Sequence, residues 1–549
     1  MIPCLSRLSF SFRLLSAFIF FSLISPAFAS ENAADTAFKG PSYTDGFNNS
    51  ADYRNVTTLN DFTLLVYRDR WKDIRYSYVI EQLNQFKGAV FSPALRESWR
   101  DALLGDFAEL RIRNGEEQNT LMAKRIELLN ALGFFNEASR LYNEAAKIKP
   151  IPEIIATQGI QALALNGSAD GACLEVYMAV QHLQSVELKK DKALCAVYFG
   201  ETALAKTLYD EVKEDAGSGF KTVYHMLGKR DGKAIRVTGI PALWRTLLLA
   251  RGASITSEAM KDADAMTLAS IASNKHVPLG IRLNAANRAA DKGAFDSDQL
   301  RKLYEAKHPE NKGLDGMIAD AKEGKSLPQA DYYSAARFTF GGQDRAIIVK
   351  NAMARIDPVT NVKTNVYSWI VDKLTLQVKS LSWFAPEGYA VLALTNRLPS
   401  ATLYFNAGKM QNTRFAIVDA LLQGNPWPKA QQEIWEKAMR KYYKNNADAR
   451  IQQTLDLAIA YDMENKLLLD IDSKAAANRA KNTSILRNSV RNGGRGLTLL
   501  TALNNVAETP KMSKIPSEQF IDIIDVMSKE GLFRERKKLT LEFLIQSML

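Results

Sequence analysis

The sequence predicts an all-α protein, a superhelix of stacked helical hairpins (an α-solenoid), and three observations support this. A glycine precedes an alanine by five residues at three places, 34 and then 33 residues apart: Gly133/Ala138, Gly167/Ala172 and Gly200/Ala205. A period of that size is typical of helical-hairpin repeats. Apolar residues make up 46% of the 549 residues, which excludes wholesale disorder. With 30 Gly and 17 Pro, turn-forming residues are too sparse for a many-stranded β protein.

The clearest repeat spans residues 122–150. Its first helix carries one apolar face, made by Met122, Ile126, Leu129 and Leu132. Its second helix has small and apolar residues three or four apart, which also share one face: Phe135, Ala138, Leu141, Tyr142 and Ala145. Gly133 permits a left-handed turn between the two helices, and Pro150 cannot continue the second helix.

In type and spacing, the second half of this unit resembles a tetratricopeptide repeat, through Gly133, Phe135, Glu137, Ala138, Tyr142, Ala145 and Pro150. The resemblance is clear around residues 119–214. It implies stacked hairpins in a right-handed superhelix with a groove that holds partner peptides or helices.

Arg125 departs from that family, because it stands where a large apolar residue is usual. A buried arginine is costly unless it is paired. We therefore expect Arg125 to face the groove, or to pair with an acid such as Glu127 or Glu137, and to favour acidic partner segments.

The first 29 residues read as a signal peptide. Arg7 and Arg13 precede an apolar stretch at 14–24, and a small-x-small cleavage site ends at Ala29. Cleavage after Ala29 predicts export to a periplasm. We expect no membrane span in the mature chain, because no later stretch is long and apolar enough.

Four further segments are expected after the signal peptide. Residues 30–60 are rich in Ser, Asn, Asp and Thr and predict a flexible leader. The remainder predicts N-terminal helical repeats at 61–235, a middle helical region at 236–330 and C-terminal helical repeats at 331–549. Within the last part, residues 338–349 favour a helix broken by glycine over a pair of strands, and Asn396 is placed in a hairpin turn.

The mature chain is mildly basic. Loss of Arg7 and Arg13 lowers the basic count from 71 to 69 against 60 acidic residues, a net charge of +9. In an exported protein this surplus favours acidic proteins, anionic envelope polymers or lipid head groups as partners over nucleic acid. A solvated surface with no such partner is the simpler interpretation.

No catalytic, cofactor or metal site is expected. The four histidines, His182, His225, His276 and His308, lack metal-ligand spacing, and no nucleophile elbow or phosphate-binding glycine motif is present. Lytic transglycosylases are exported and superhelical too, with a catalytic glutamate followed by serine. Here the one such pair, Glu97-Ser98, lies in an apolar-striped helix near the N-terminus.

Two features remain as candidate sites. Cys173 and Cys195 lie on adjacent helices of the second and third repeats, and an oxidising compartment favours a disulfide between them. Arg487, Arg491 and Arg495 are four residues apart, so a helix would present them as one positive edge for an acidic partner. A solvated helix face is the simpler interpretation of that edge.

The sequence therefore predicts a non-enzymatic periplasmic scaffold or adaptor that binds partner proteins through a helical-repeat groove in cell-envelope biology. One alternative is an envelope polysaccharide or peptidoglycan enzyme of the lytic-transglycosylase type, which a carboxylate pair in a deep cleft would favour. The other is a carrier of an anionic envelope ligand, which a positive edge lining a pocket would favour. The partner's identity and the oligomeric state stay open.

Overall fold

A computed structural model describes residues 52–59, 71–86, 90–113, 118–215, 217–229, 232–307, 313–356, 362–410, 495–507 and 533–548, with eight single residues between 415 and 527. The predicted signal peptide, residues 1–29, and most of the predicted leader lie outside these ranges. Within them the chain is all-α, and helices pack against their neighbours in sequence order, as the predicted fold class requires.

The helices of the first half form successive hairpins. Their bounds are α1 Tyr76–Asn84, α2 Pro93–Leu104, α3 Gln118–Ala131, α4 Phe135–Ala145, α5 Glu153–Leu165, α6 Ala169–Val180, α7 Val186–Phe199, α8 Thr202–Val212, α9 Gly217–Lys229, α10 Ala242–Ala250, α11 Ala265–Ser273 and α12 Leu279–Asp291.

The second half continues with ten further helices among the described residues. They are α13 Ser297–Ala306, α14 Leu314–Lys322, α15 Gln329–Phe338, α16 Gly342–Met353, α17 Val362–Val366, α18 Ser368–Lys373, α19 Ala385–Leu394, α20 Leu398–Ala407, α21 Arg495–Ala507 and α22 Phe533–Met548. A 3₁₀ segment, Leu374–Phe384, joins α18 to α19 and is kinked at Leu381.

The three predicted glycine steps are hairpin turns. Gly133, Gly167 and Gly200 have φ values of 79°, 79° and 84°, and they join α3 to α4, α5 to α6 and α7 to α8. The helices within each hairpin pack against each other. Asn396, with φ 58°, likewise turns the chain between α19 and α20, as predicted. The broken helix predicted at 338–349 is also present, since α15 ends at Phe338 and α16 begins at Gly342.

After α9 the chain returns along the first hairpins. Helix α10 packs against α5, α6 and α7, and α11 packs against α5 and α3. The Thr246 hydroxyl of α10 donates a hydrogen bond to the Ala164 carbonyl oxygen (2.8 Å), and the Trp244 indole nitrogen donates to Asp191 (2.6 Å). The first helix of each of the three hairpins therefore contacts this returning pair.

The return brings turns from distant hairpins together. A Cβ atom at Gly133 would lie 2.1 Å from the Ala294 carbonyl oxygen, and one at Gly293 would lie 2.1 Å from the Val90 carbonyl oxygen. The buried Arg96 of α2 joins the same region, because it donates to the carbonyl oxygens of Leu132 (3.0 Å) and Phe295 (2.6 Å).

The last two helices close onto the first two. Helix α21 packs against α1, where the Asn504 amide donates to the Gln82 carbonyl oxygen (2.8 Å). Helix α22 packs against α2 and α19. Its Glu542 carboxyl accepts hydrogen bonds from the Ser92 hydroxyl and from the Ala94 backbone nitrogen (2.8 Å), which caps the start of α2.

Candidate functional site

The structure brings Cys173 of α6 and Cys195 of α7 to bonding distance. Their Cα atoms are 5.4 Å apart and their sulfur atoms 1.98 Å apart, within the range of a disulfide. Both side chains are fully buried. The pair joins the second helix of one hairpin to the first helix of the next, as the repeat register predicts.

Arg125 does not face a groove and does not pair with Glu127 or Glu137, so that expectation is wrong. Its side chain is fully buried, and its guanidinium donates to the carbonyl oxygens of Leu103 (2.6 Å), Gly105 (2.8 Å) and Val56 (2.9 Å).

Carbonyl oxygens at the end of α2 take the place of the acidic partner that was expected for Arg125. They are available because the last turn of a helix leaves its carbonyl oxygens without intrahelical donors. The guanidinium carbon also lies 4.7 Å from the centre of the Phe107 ring, and burial lowers the pKa of Arg125 to about 9. Arg125 is therefore a residue of the core.

The other predicted positive edge falls largely outside the described residues. Arg487 and Arg491 lie outside them. Arg495 begins α21, but its side chain is not among those described. Their expected role in binding an acidic partner therefore stays a prediction.

The three described histidines lie on or beside three different helices. His225 lies on α9, where its ring is 6.0 Å from the Tyr209 ring, while His182 follows α6 and His276 precedes α12. Within the described ranges no group of three His, Cys, Asp or Glu side chains is arranged to hold a metal ion. The Glu97-Ser98 pair lies on α2, where Glu97 pairs with Lys538 of α22 and Ser98 donates to the Ala94 carbonyl oxygen (3.0 Å).

The hairpin face expected to form a groove is not open in this part of the chain. Helices α10 and α11 pack against α3, α5 and α7, and they bury Leu243, Leu247 and Leu268. A partner that binds the face covered by α10 and α11 must displace these helices of the same chain.

The turn between α15 and α16 exposes aromatic side chains on an ordered backbone. Phe340 is 98% exposed, and Phe338 is also exposed. The backbone between them is fixed, because the Thr339 hydroxyl donates to the Ala335 carbonyl oxygen (2.7 Å) and the Arg345 guanidinium donates to the Thr339 carbonyl oxygen (3.0 Å). Phe340 is therefore exposed on a turn whose backbone is held in place by hydrogen bonds.

The 3₁₀ segment Leu374–Phe384 lies directly against this turn. A Cβ atom at Gly342 would overlap the Gln377 side-chain oxygen at 1.6 Å, so the Gln377 side chain packs directly against the Gly342 backbone. The segment buries Leu374, Val378, Leu381 and Phe384 and turns its other face outward. On that face Leu376 is 93% exposed, and Trp383 is exposed as well.

We call Phe338, Phe340, Leu376 and Trp383, with Arg337, Lys350 and Lys379, the basic-aromatic patch. The Arg337 guanidinium carbon lies 5.4 Å from the Phe338 ring centre and the Lys350 nitrogen 5.6 Å from that of Trp383, both within cation–π range. Lys379 lies three residues after Leu376, one turn on along the 3₁₀ segment.

Acidic side chains beside the patch are paired. Glu387 pairs with Lys350 (2.8 Å), and Asp344 pairs with Lys322 (2.8 Å). Among the described residues no acid pairs with Arg337 or Lys379. The patch is therefore apolar at its centre and positively charged at its edge.

Fold and surface together define the class, an all-α protein of stacked helical hairpins with an exposed basic-aromatic patch. No helix in the described ranges is long and apolar enough to cross a membrane. No protein-family model, no curated protein and no solved structure matches this chain.

Sequence reasoning missed the patch, although a signal was present. The glycines of FTFGGQ indicate a helix broken by a turn, and side chains beside such a turn can be exposed to solvent. In LTLQVKSLSWF, buried residues follow a spacing near three, which leaves Leu376 and Trp383 on the opposite face.

Proposed function

We propose that this protein is a non-enzymatic scaffold or adaptor that binds acidic amphipathic segments of partner proteins through the basic-aromatic patch. The observation that carries the proposal is the near-complete exposure of Phe340, in a turn held by hydrogen bonds, and of Leu376, on the 3₁₀ segment that packs against α16. Adjoining exposed apolar side chains of this size commonly mark interaction sites.

The positive charge at the edge of the basic-aromatic patch favours an acidic segment as its partner. Aromatic residues and arginine are favoured at protein interfaces, where rings fill pockets and cations sit at the rim. A segment with apolar residues on one face and Asp or Glu at its edges matches an apolar centre rimmed by Arg337 and Lys379. A uniformly apolar segment would leave both cations without counter-charges.

The proposal also includes the location of the protein in a periplasm and a tetratricopeptide-like origin of its first hairpins. Export to a periplasm rests on the basic, apolar and small-x-small pattern of residues 1–29. A tetratricopeptide-like origin of α3–α8 rests on the 34- and 33-residue period together with left-handed glycines at each turn. The bond between Cys173 and Cys195 suits an oxidising compartment.

Site-specific photocrosslinking tests the proposal. A photoreactive residue is placed at position 340 or 376 of the mature protein in periplasmic extract, and the crosslinked segment is mapped. The same segment is then synthesised, and its binding to purified protein is measured by fluorescence anisotropy. The expected result is an acidic amphipathic segment that loses at least about tenfold in affinity with Phe340→Ser/Leu376→Ser.

Leu174→Ser is the matched control, because Leu174 is also more than half exposed but lies on α6, away from the patch. It should leave affinity unchanged. Binding should also weaken as salt rises, since exposed charges are screened over about 8 Å at physiological salt. The proposal is overturned if the crosslinked segments carry no net negative charge, or if Leu174→Ser loses as much affinity as the double variant. It is also overturned if the protein binds anionic lipid vesicles in preference to the peptide.

A further inference from the structure

A cavity of about 630 Å³ lies between the starts of α12 and α15, separate from the basic-aromatic patch at the other end of α15. Leu279, Gly280 and Leu283 of α12 form one wall, and Pro328, Gln329 and Ala330 form the facing wall. Cavities of this size hold molecules as large as a sugar phosphate or a disaccharide.

Three cations from three different elements line this cavity. Arg288 comes from α12, Lys307 follows α13, and Lys363 comes from α17. Residues from such distant parts of the sequence meet only through the tertiary fold. Their convergence places three positively charged groups on one concave surface.

The lysines are held in position from outside the cavity. Lys307 pairs with Asp331, and Lys363 pairs with Asp291 (2.6 Å). Neither aspartate lines the cavity. Arg288 donates to the Lys261 carbonyl oxygen (2.6 Å), and among the described residues no acid pairs with it. The charge of Arg288 is thus not neutralised by an acid at the cavity.

Two side-chain amides of the wall are fixed by buried tyrosines. The Tyr304 hydroxyl donates to the Asn287 side-chain oxygen, and the Tyr367 hydroxyl donates to the Gln329 side-chain oxygen (2.8 Å). On their other sides, the Asn287 amide donates to the Leu283 carbonyl oxygen (2.8 Å) and the Gln329 amide to the Ala352 carbonyl oxygen (3.1 Å).

These hydrogen bonds place the amides before any ligand arrives. A wall that is already ordered costs a ligand less conformational entropy on binding. The helix starts add to the effect, because α12 begins at Leu279 and α15 at Gln329, and helix N-termini favour anions.

We propose that this cavity binds a small organic anion, a phosphate or carboxylate group carried on a sugar-sized body. The anionic group contacts Arg288, Lys307 and Lys363. The body lies against Leu279, Leu283 and Ala330. The inference does not depend on partner binding at the basic-aromatic patch.

Calorimetric titration of the mature protein tests this with four probes, glucose 6-phosphate, glucuronate, inorganic phosphate and uncharged glucose. Glucose 6-phosphate or glucuronate should bind at millimolar concentration or below, and glucose should not. Inorganic phosphate should bind at least about tenfold more weakly than the better sugar anion, because it lacks the body.

Gly280→Glu is the decisive variant. Gly280 is exposed in the first turn of α12, and a Cβ atom there would meet nothing within 4 Å. The added carboxylate suits a helix N-terminus and so should not reduce stability, but it repels an anion from the cavity. Gly316→Glu is its control, since Gly316 is exposed in the first turn of α14 with equally open surroundings.

A second pair of variants removes charge. Lys307→Gln should weaken binding of the sugar anion about tenfold. Lys322→Gln, which removes an aspartate-paired lysine of similar exposure outside the cavity, should not. The inference is overturned if no sugar anion binds, if inorganic phosphate binds equally well, or if Gly280→Glu and Gly316→Glu reduce binding equally. Phe340→Ser/Leu376→Ser should leave this binding unchanged.

Discussion

The turns at Gly133 and Gly200 share one sequence signature but have opposite surroundings. Each is a glycine five residues before an alanine, with φ of 79° and 84°. A Cβ atom at Gly133 would lie 2.1 Å from the Ala294 carbonyl oxygen, whereas one at Gly200 would meet nothing within 4 Å. We call them the enclosed turn and the open turn. The signature therefore reports a local backbone conformation and says nothing about what packs on it.

Arginines sharpen the contrast. At the enclosed turn the buried Arg96 donates to the Leu132 carbonyl oxygen, and its guanidinium carbon lies 4.4 Å from the Phe134 ring centre. At the open turn the half-buried Arg251 donates to the carbonyl oxygens of Val197 (3.0 Å) and Tyr198. Both satisfy carbonyl groups at a helix end, but only the first does so away from water.

The largest effect is expected from alanine at the two glycines. Gly200→Ala should lower the free energy of unfolding by about 1 kcal/mol, the cost of a left-handed conformation for alanine. Gly133→Ala should lower it by about 4 kcal/mol or more, because the methyl group displaces the backbone at Ala294 as well. Urea unfolding of the two variants measures the difference. Equal losses would show that the enclosed turn can separate from Ala294 at little cost.

The second effect comes from the disulfide, which ties α7, the helix that ends at the open turn, to α6. Cys173→Ala/Cys195→Ala should lower the free energy of unfolding by about 3 kcal/mol for a cross-link spanning 22 residues. Hydrogen exchange should quicken in α6–α8 and stay unchanged in α2–α4. Faster exchange in both regions would mean that the two turns unfold as one unit.

Arginine substitution gives a third, smaller contrast. Arg96→Met should lower the free energy of unfolding by about 2 kcal/mol, since two buried carbonyl oxygens lose their donor. Arg251→Met should cost less than about 1 kcal/mol, because water can replace the donor at a half-buried site. Thermal unfolding with the two variants side by side checks this, and a larger loss for Arg251→Met would contradict it.

The smallest effect is a pH dependence at the start of α2, where Glu542 caps the helix. Burial raises the pKa of the Glu542 carboxyl to about 8 from 4.5, against the hydrogen bonds from Ser92 and Ala94 and with Glu97 and Lys538 nearby. Between these two pH values the folded protein holds a proton that the unfolded chain has released. Its free energy of unfolding therefore falls as pH rises, by about 1 kcal/mol between pH 6 and pH 7.

Glu542→Gln removes this titration and keeps the shape of the side chain. Its free energy of unfolding, measured in urea from pH 5 to pH 8, should change less with pH than that of the natural protein. Identical slopes would mean that Glu542 is already ionised in the folded protein. Gly200→Ala, at the open turn, should keep the natural slope.

Local features of this fold were predictable because local chemistry decides them. The left-handed glycines, the turn at Asn396 and the cap by Ser92 follow from spacing and residue type. The approach of Cys173 to Cys195 follows from the register of adjacent helices. Each of these involves residues within one or two neighbouring helices.

The rest depends on contacts between residues far apart in sequence. The sequence predicts that Arg125 faces a groove. Nothing near it in the sequence shows that its guanidinium donates hydrogen bonds to the carbonyl oxygens of Leu103 and Gly105. The cavity walls come from α12, α15 and the residues around Lys307 and Lys363, and no periodic pattern links them. The return of α10 and α11 over the first hairpins has no signature either.

The contact between α22 and α2 has a consequence for how the chain is made. Glu542 and Ser92 are 450 residues apart. At 5 to 20 residues per second, a ribosome needs about 20 to 90 s to synthesise that interval. Throughout this time Ser92 and the Ala94 backbone lack the Glu542 carboxyl that later caps the start of α2. The start of α2 therefore reaches its final packing only after α22 has been synthesised.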